Sequence, residues 1–491
     1  MISVQRARRV IYNSGLLTLA RGLEISLGVL LVSFVARYLG RAGFGTYGFV
    51  LSLGQLFVVA GQMGLPRILV REVSRDKKET AQYLGNAVSL ILVTMPLGLL
   101  AATALTWLIA PDVEVVLAMM TYFVSEVILA AALLGYSVFR AHERMEYQAI
   151  ISVVGQTLKV VVALLFMRLG LGLLALFIAM CMANACKLFM VQCVLHKEFA
   201  TARPRWSPRL IKFLLLSGLP VAASFFFRSS AWAGPIVILR IMQGEAQVGL
   251  VFGPLRVVEN VRILAYSFVS SVLPLLSHQF VARWSAFLAT LQGAFKVALM
   301  GGVLTALVIT ALADPIVLLL FGPEFSQSAE VLQTLGWVTA FTFPGILLGA
   351  TLVATNAQVV ETVSLFVAVV ISLAVSMLLI PAHGFSAVGY AVLLGESSSF
   401  VLALLFLWRR TSLAVLPKAT IRIVAPGALA GLLIQASRSY NPYVALVLGL
   451  LLFCGCMVLL RIFDEDERQL LRRVFSASRQ NFQSRDSNGS T

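Results

Sequence analysis

Fourteen predominantly apolar stretches follow one another along this chain, separated by short polar breaks. They cover residues 14–36, 45–65, 83–108, 115–139, 149–167, 172–195, 213–238, 248–277, 293–313, 327–355, 361–380, 387–407, 421–437 and 442–460. About 20 apolar residues in an α-helix cross the hydrocarbon core of a bilayer. In lipid a helix satisfies its own backbone, so it is the expected conformation of such a stretch. The pattern therefore predicts an all-α polytopic membrane protein with about fourteen spans. The breaks carry turn chemistry: Gly40 to Gly45, Pro111-Asp112, Gly170 to Gly172, Gly244, Gly322-Pro323, Pro381 and Asn441-Pro442. The stretch after Gly244 is the least apolar of the fourteen.

Composition agrees with this class. Of 491 residues, 59% are hydrophobic and 12% charged, about half the charged share of a soluble domain. Met1 to Arg9 is basic, but the apolar run after it is too long for a cleaved leader, so it reads as the first span. The five cysteines lie in apolar stretches and read as small packing residues, with no disulfide and no metal site. The four histidines form no ligand pair, and no cofactor is expected.

Basic residues orient the chain. With the N-terminus inside, the inside segments hold 25 of the 38 Lys and Arg residues and the outside loops hold 5. That bias places both termini in the cytoplasm. The richest inside loops are Arg67 to Lys78 and His196 to Lys212, which read as anchors on anionic lipid. The net charge of +16 has the same origin and does not indicate nucleic-acid binding.

Charge inside the spans is the candidate chemistry. Arg21, Glu24, Glu126, Lys159, Lys187, Arg228, Arg256, Glu259, Arg262, Glu361 and Glu396 all fall within apolar stretches. A charge at the bilayer centre costs roughly 2.5–3.5 kcal/mol, so such residues face a protein interior or a water-filled cavity. Arg21 and Glu24, and likewise Arg256, Glu259, Asn260 and Arg262, share a helical face. Basic residues outnumber acidic ones, so a cavity lined by Arg21, Glu24, Lys159, Lys187, Arg228, Arg256, Glu259 and Arg262 would receive an anion. Glu126 and Glu396 are candidates for ion coupling, because an isolated buried carboxylate protonates readily. Each position also admits a structural reading: neutralising pairs, networks that tie helices together, snorkelling toward an interface, or, for Glu361, a helix-start position favoured by the dipole.

Weak internal similarity divides the chain. The turns after spans 1 and 7 and those after spans 5 and 11 resemble each other, six spans apart. An even number of spans per repeat gives parallel repeats with a cavity between them. The expected organisation is an N-terminal lobe over 1–200, a C-terminal lobe over 201–410, two further spans with an inner-surface helix over 411–475, and a disordered tail over 476–491.

The stretch Ala36-Arg37-Tyr38-Leu39-Gly40-Arg41-Ala42-Gly43-Phe44-Gly45-Thr46-Tyr47 resembles the first outside turn of bacterial polysaccharide and O-antigen-unit flippases, within the superfamily of multidrug, oligosaccharidyl-lipid and polysaccharide exporters. Phe139-Arg140-Ala141 to Arg144, Leu320 to Phe325 and Ile380-Pro381 to Gly389 are similar to counterparts there. The resemblance implies two six-helix lobes around a central cavity, often with two extra helices. It also implies alternating-access movement of a lipid-linked oligosaccharide to the outer face of the bacterial inner membrane, for cell-surface polysaccharide or lipopolysaccharide synthesis. Partners on this reading are the lipid-linked substrate, membrane lipid, a polysaccharide polymerase and other glycan-assembly membrane proteins. Asn356-Ala-Gln358 matches the family's asparagine-rich turn only in part.

No P-loop, HExxH motif or nucleophile elbow is present, so the chain does not read as an enzyme. Two other classes stand beside the flippase. An ion-coupled drug or cation antiporter of the same superfamily would prefer an acidic cavity. A non-transporting scaffold subunit of a glycan-assembly complex has no need of intramembrane arginine.

Overall fold

The structure, a computed structural model, describes residues 4–199, 203–411 and 415–460. The described residues form helices joined by short turns, without a strand: α1 (Val4–Gln62), α2 (Leu65–Arg75), α3 (Thr80–Ile109), α4 (Val113–Ala141), α5 (Met145–Arg168), α6 (Leu173–Glu198), α7 (Pro208–Gln243), α8 (Glu245–Ala282), α9 (Trp284–Leu320), α10 (Ser328–Ala354), α11 (Gln358–His383), α12 (Ala387–Thr411), α13 (Val415–Ser437) and α14 (Pro442–Leu459). Every predicted span falls on one of them. The inner-surface helix and the tail expected after residue 460 lie outside the described residues.

Eleven helical stretches among the described residues are long and apolar enough to cross a membrane. Two of them, Leu19–Arg75 and Gln358–Thr411, each contain two predicted spans. α8, which carries Arg256, Glu259 and Arg262, is not among these eleven. The first two spans are nearly continuous. One residue, Gly40 at φ 64°, ψ −174°, breaks the helical path inside α1. That conformation is open to glycine and costly for residues with a Cβ.

The stretch after Pro66 departs from the sequence reading, which makes it a loop because of its basic residues. It is the helix α2, entered from Gly64 in the left-handed region. Its apolar positions Leu65, Ile68, Leu69 and Val73 recur every three or four residues and are buried. Arg67, Arg71 and Arg75 are exposed, so α2 is amphipathic.

Contacts divide the chain into two units. The first comprises Met1–Val261, Ala313–Leu335 and Val359–Ser399, and the second Arg262–Leu312, Gly336–Gln358 and Phe400–Thr491. In the first, α1 packs on α5, α7 and α3, α4 packs on α6 and α3, and α5 packs on α6. α1 and α8 approach backbone to backbone. A side chain on Gly45 would run into the Glu245 carbonyl, and one on Gly249 would run into the backbone of Arg41. Small residues of this kind let helices approach closely in lipid, where packing replaces the hydrophobic drive. Phe44 seals the approach, edge-on to Phe252 at 5.4 Å and to Phe325 at 5.7 Å between ring centroids.

Turns sort by end. Arg41 donates to Gln327 at 2.7 Å, Tyr38 to the Leu171 carbonyl at 2.8 Å, and Arg240 pairs with Glu245; all of these belong to turns expected outside. Arg144 pairs with Glu198 at 3.1 Å, Ser207 N–H donates to Asn86 at 2.7 Å, and Arg205 N–H donates to the Gly85 carbonyl at 3.2 Å; these lie at the ends expected inside. In the second unit, Thr339 donates to the Gly302 carbonyl at 2.8 Å, joining α10 to α9. Phe400 stacks with Phe295, Trp337 covers Gly431, and α13 pairs with α14, where Ile434 lies over Gly449.

Candidate functional site

Polar residues on the buried faces of α4, α5 and α6 recur one turn apart. α4 presents Tyr122, Ser125 and Glu126, α5 presents Gln156 and Lys159, and α6 presents Asn184 and Lys187. Spacings of three and four place each set on one face. The Asn184 amide donates to the Ser125 hydroxyl at 2.9 Å and to the Ser125 carbonyl at 3.2 Å. That pair locks α6 to α4 and fixes where Lys187 leaves its helix, one turn on. The lysine's aliphatic stem lies across Gly155, in the space a Cβ there would fill, and Lys187 is 9% exposed.

The charges converge. Glu126 lies within Coulombic reach of both Lys159 and Lys187. Glu24, on α1, reaches the same two lysines, and Arg256, on α8, reaches Lys159. Arg256 is held by Glu259 at 2.7 Å, three residues on, and its guanidinium stands over the Phe252 ring at 4.8 Å. The buried phenols of Tyr47 and Tyr122 face the same guanidinium, and Tyr122 makes a long, 3.5 Å hydrogen bond to Gln55. Toward one end, Glu24 and Arg140 lie within Coulombic range of Tyr136, and Arg21 within that of Arg140. Arg140 also donates to Gln148 at 2.8 Å. Cations (Lys159, Lys187, Arg256, Arg21 and Arg140) therefore outnumber carboxylates (Glu24, Glu126 and Glu259) in this part of the first unit.

Other expected site residues stand elsewhere. Arg228 on α7 pairs with Glu361, in the first turn of α11, at 3.4 Å. One turn away Ser224 and Thr362 hydrogen-bond at 2.9 Å. Glu396 on α12 is 6% exposed and accepts the Trp232 indole N–H at 2.5 Å. Ser372 donates to the Ala231 carbonyl at 2.9 Å, so α7, α11 and α12 are laced by polar contacts. Arg262, 6% exposed, belongs to the second unit, where it lies beside Tyr266.

Several participants escape the sequence reading. Trp232 and Ser125 look like ordinary packing residues until their partners are known. Gln156 and Tyr122 carry no charge to draw attention. Lys296, 3% exposed in the second unit, sits near the start of a span, where a cation reads as an anchor. Its helical stretch is the apolar one that should have singled it out.

The arrangement suits reversible ion exchange. Each lysine lies within Coulombic range of two carboxylates, so an arriving anion would compete with Glu24 and Glu126 for the cations. Arg256 adds a planar donor fork that matches phosphate oxygens.

Comparison with known proteins adds the lineage. A family model described as "Polysaccharide biosynthesis protein" matches residues 10–280. No curated protein sequence matches the chain. Among solved structures, the chain is similar to the lipid II flippase MurJ in an inward closed conformation, with TM-score 0.68 and 11% identity over 91% of this chain and 99% of that one. It is similar to an inward-facing multidrug resistance MATE family transporter of the MOP superfamily, with TM-score 0.62 and 17% identity over 82% and 96%. A MOP superfamily transporter from Pyrococcus furiosus, described by the reverse polarity of its binding pocket, matches with TM-score 0.56 and 18% identity over 82% and 93%. At these identities the likeness is one of fold.

Proposed function

Because the chain belongs to the polysaccharide biosynthesis protein family, we propose that it is a flippase for a lipid-linked oligosaccharide, carrying a polyprenyl-phosphate-type substrate from the cytoplasmic to the outer face of the inner membrane by alternating access. The observation that carries this reading is the charged cluster of Glu24, Glu126, Lys159, Lys187 and Arg256 inside apolar helices. The substrate's phosphate cannot cross about 30 Å of hydrocarbon unaided. Lys159, Lys187 and Arg256 would bind it while Glu24 and Glu126 release them. On release of the substrate the carboxylates would take the cations back, resetting the site. Arg21, Glu259, Arg228 and Arg262 are proposed as further contacts, each tested by its own variant. Glu126 and Glu396 are proposed coupling carboxylates. The lobes over 1–200 and 201–410 would be the moving parts, and a polysaccharide polymerase the partner on the outer face.

The family model and the excess of cations both favour this reading over a cation antiporter, whose site would be acidic. The test is glycan export measured together with membrane abundance in cells that lack the native protein. Replacing Lys159 and Arg256 by Ala should abolish export and leave lipid-linked units on the cytoplasmic face, at normal abundance. Arg256→Lys should restore export in part, since charge remains but the bidentate fork is lost. Full export by a stable Lys159→Ala, Arg256→Ala protein would overturn the proposal.

A further inference from the structure

A groove of about 650 Å³ opens between α1 and α5, near the end where the chain turns at Gly40 and Gly170. Its size is that of a small-molecule site. Phe34, Arg37 and Tyr38 line it from α1, and Val161, Leu165 and Arg168 from α5. Spacings of three and four put each set on one helical face. Each set is apolar toward the middle of its helix and cationic toward the end. No carboxylate lines the groove among the described residues. Phe34, Val161 and Leu165 are about half exposed, so the apolar part lies open to the surrounding lipid.

The α1 rim is braced. Arg37 donates to the Leu319 carbonyl and Tyr38 to the Leu171 carbonyl at 2.8 Å. The remaining N–H groups of Arg37 are available, because a guanidinium has five. Arg168 makes no ion pair or side-chain hydrogen bond among the described residues. Two guanidiniums thus stand at the head of an apolar channel, where a span meets the headgroup layer. None of these residues belongs to the charged cluster of the proposed transport site.

We propose that this groove binds one anionic phospholipid of the bilayer. Its phosphodiester lies between Arg37 and Arg168, and an acyl chain runs over Phe34, Val161 and Leu165. The occupant follows from charge complementarity. Guanidiniums pair with phosphate through charge-assisted hydrogen bonds, and an anionic headgroup has no second cation of its own to offset them. Bilayer lipid is in constant contact with the exposed apolar wall.

The test uses the purified full-length chain, stripped of lipid in detergent and titrated in native mass spectrometry. The probes are phosphatidylglycerol and phosphatidylethanolamine with the same acyl chains. One phosphatidylglycerol should bind about tenfold more tightly than phosphatidylethanolamine, the effect of one charge-assisted contact. Arg168→Gln should remove that preference and Arg168→Lys should keep part of it. Because Arg168 is exposed and braces nothing, both variants should unfold at the temperature of the parent. Equal binding of the two lipids would overturn the proposal. So would a preference that survives in the Arg37→Gln, Arg168→Gln double variant. Tighter binding of a polyprenyl monophosphate than of phosphatidylglycerol would also overturn it, assigning the groove to the carrier lipid instead.

Discussion

Glu396 and Trp232 show how a single buried contact can be weighed. The carboxylate is nearly inaccessible and takes the indole N–H at 2.5 Å. Removing a donor from a buried acceptor costs about 1–3 kcal/mol. Trp232→Phe should therefore lower the thermal stability of the detergent-purified protein by about that amount. Adding Glu396→Met should recover most of the loss. A double variant no more stable than Trp232→Phe alone would mean the carboxylate has other essential partners. His142, in the turn after α4, offers a pH test. Burial pushes its pKa below the ordinary histidine value, against a smaller upward pull from its hydrogen bond to the Val138 carbonyl. The folded chain thus binds fewer protons than the unfolded chain just below about pH 6.5. This contribution to stability is complete above that pH and declines as pH falls through it. His142→Gln should flatten the acid limb of a melting-temperature profile below about pH 6.5, and an unchanged limb would count against the histidine as its source.

Among elements, the approach of α1 to α8 makes the sharpest demand on sequence. Gly45 and Gly249 each face backbone of the other helix. Gly45→Val should destabilise by about 1–3 kcal/mol through overpacking, read as lost membrane abundance. Gly455→Ala, with open space around it, should be neutral. Comparable losses from both would point to general intolerance of substitution in these helices. The helices that carry the fourteen predicted spans were legible in the sequence because hydropathy marks long apolar runs, and thirteen of those spans fall in the eleven stretches apolar enough to cross a membrane. α2 was not, because its cations suit a loop as well as a helix, and only its 3–4 residue apolar spacing distinguishes the two. Site partners were the least legible. Lys159, Lys187 and Glu126 were visible as costly charges. That they face one another depends on the packing of α4, α5 and α6, and that Arg228 meets Glu361 depends on the pairing of helices 133 residues apart. No local spacing encodes either.

At the scale of the whole molecule, contacts within the first unit group its turns into two sets, and charge decides which set faces the cytoplasm. Arg41–Gln327, Tyr38–Leu171 and the close approach of Gly45 to the Glu245 carbonyl tie one set together; Arg144–Glu198, Arg205–Gly85 and Ser207–Asn86 tie the other. The second set belongs to loops over 66–82, 140–148 and 196–212 that hold 12 of the 38 basic residues, against 4 in the turns of the first set, so the positive-inside rule puts it in the cytoplasm. The transport proposal depends on this assignment, since a flippase loading from the cytoplasm must open toward the side where its substrate is made. Reporter fusions at Asp112, Glu324 and Asn441 should score outside, and fusions at Lys77, Arg205 and Arg410 inside. Glu324 is the most informative position. It lies in the turn that packs against Phe44 and Arg41, so it must share a side with the Gly40 break. An inside score at Glu324 together with an outside score at Asp112 would contradict both the charge bias and the contacts between these turns. Inside scores at Asp112, Glu324 and Asn441 with outside scores at the other three would keep the fold and reverse the direction of loading.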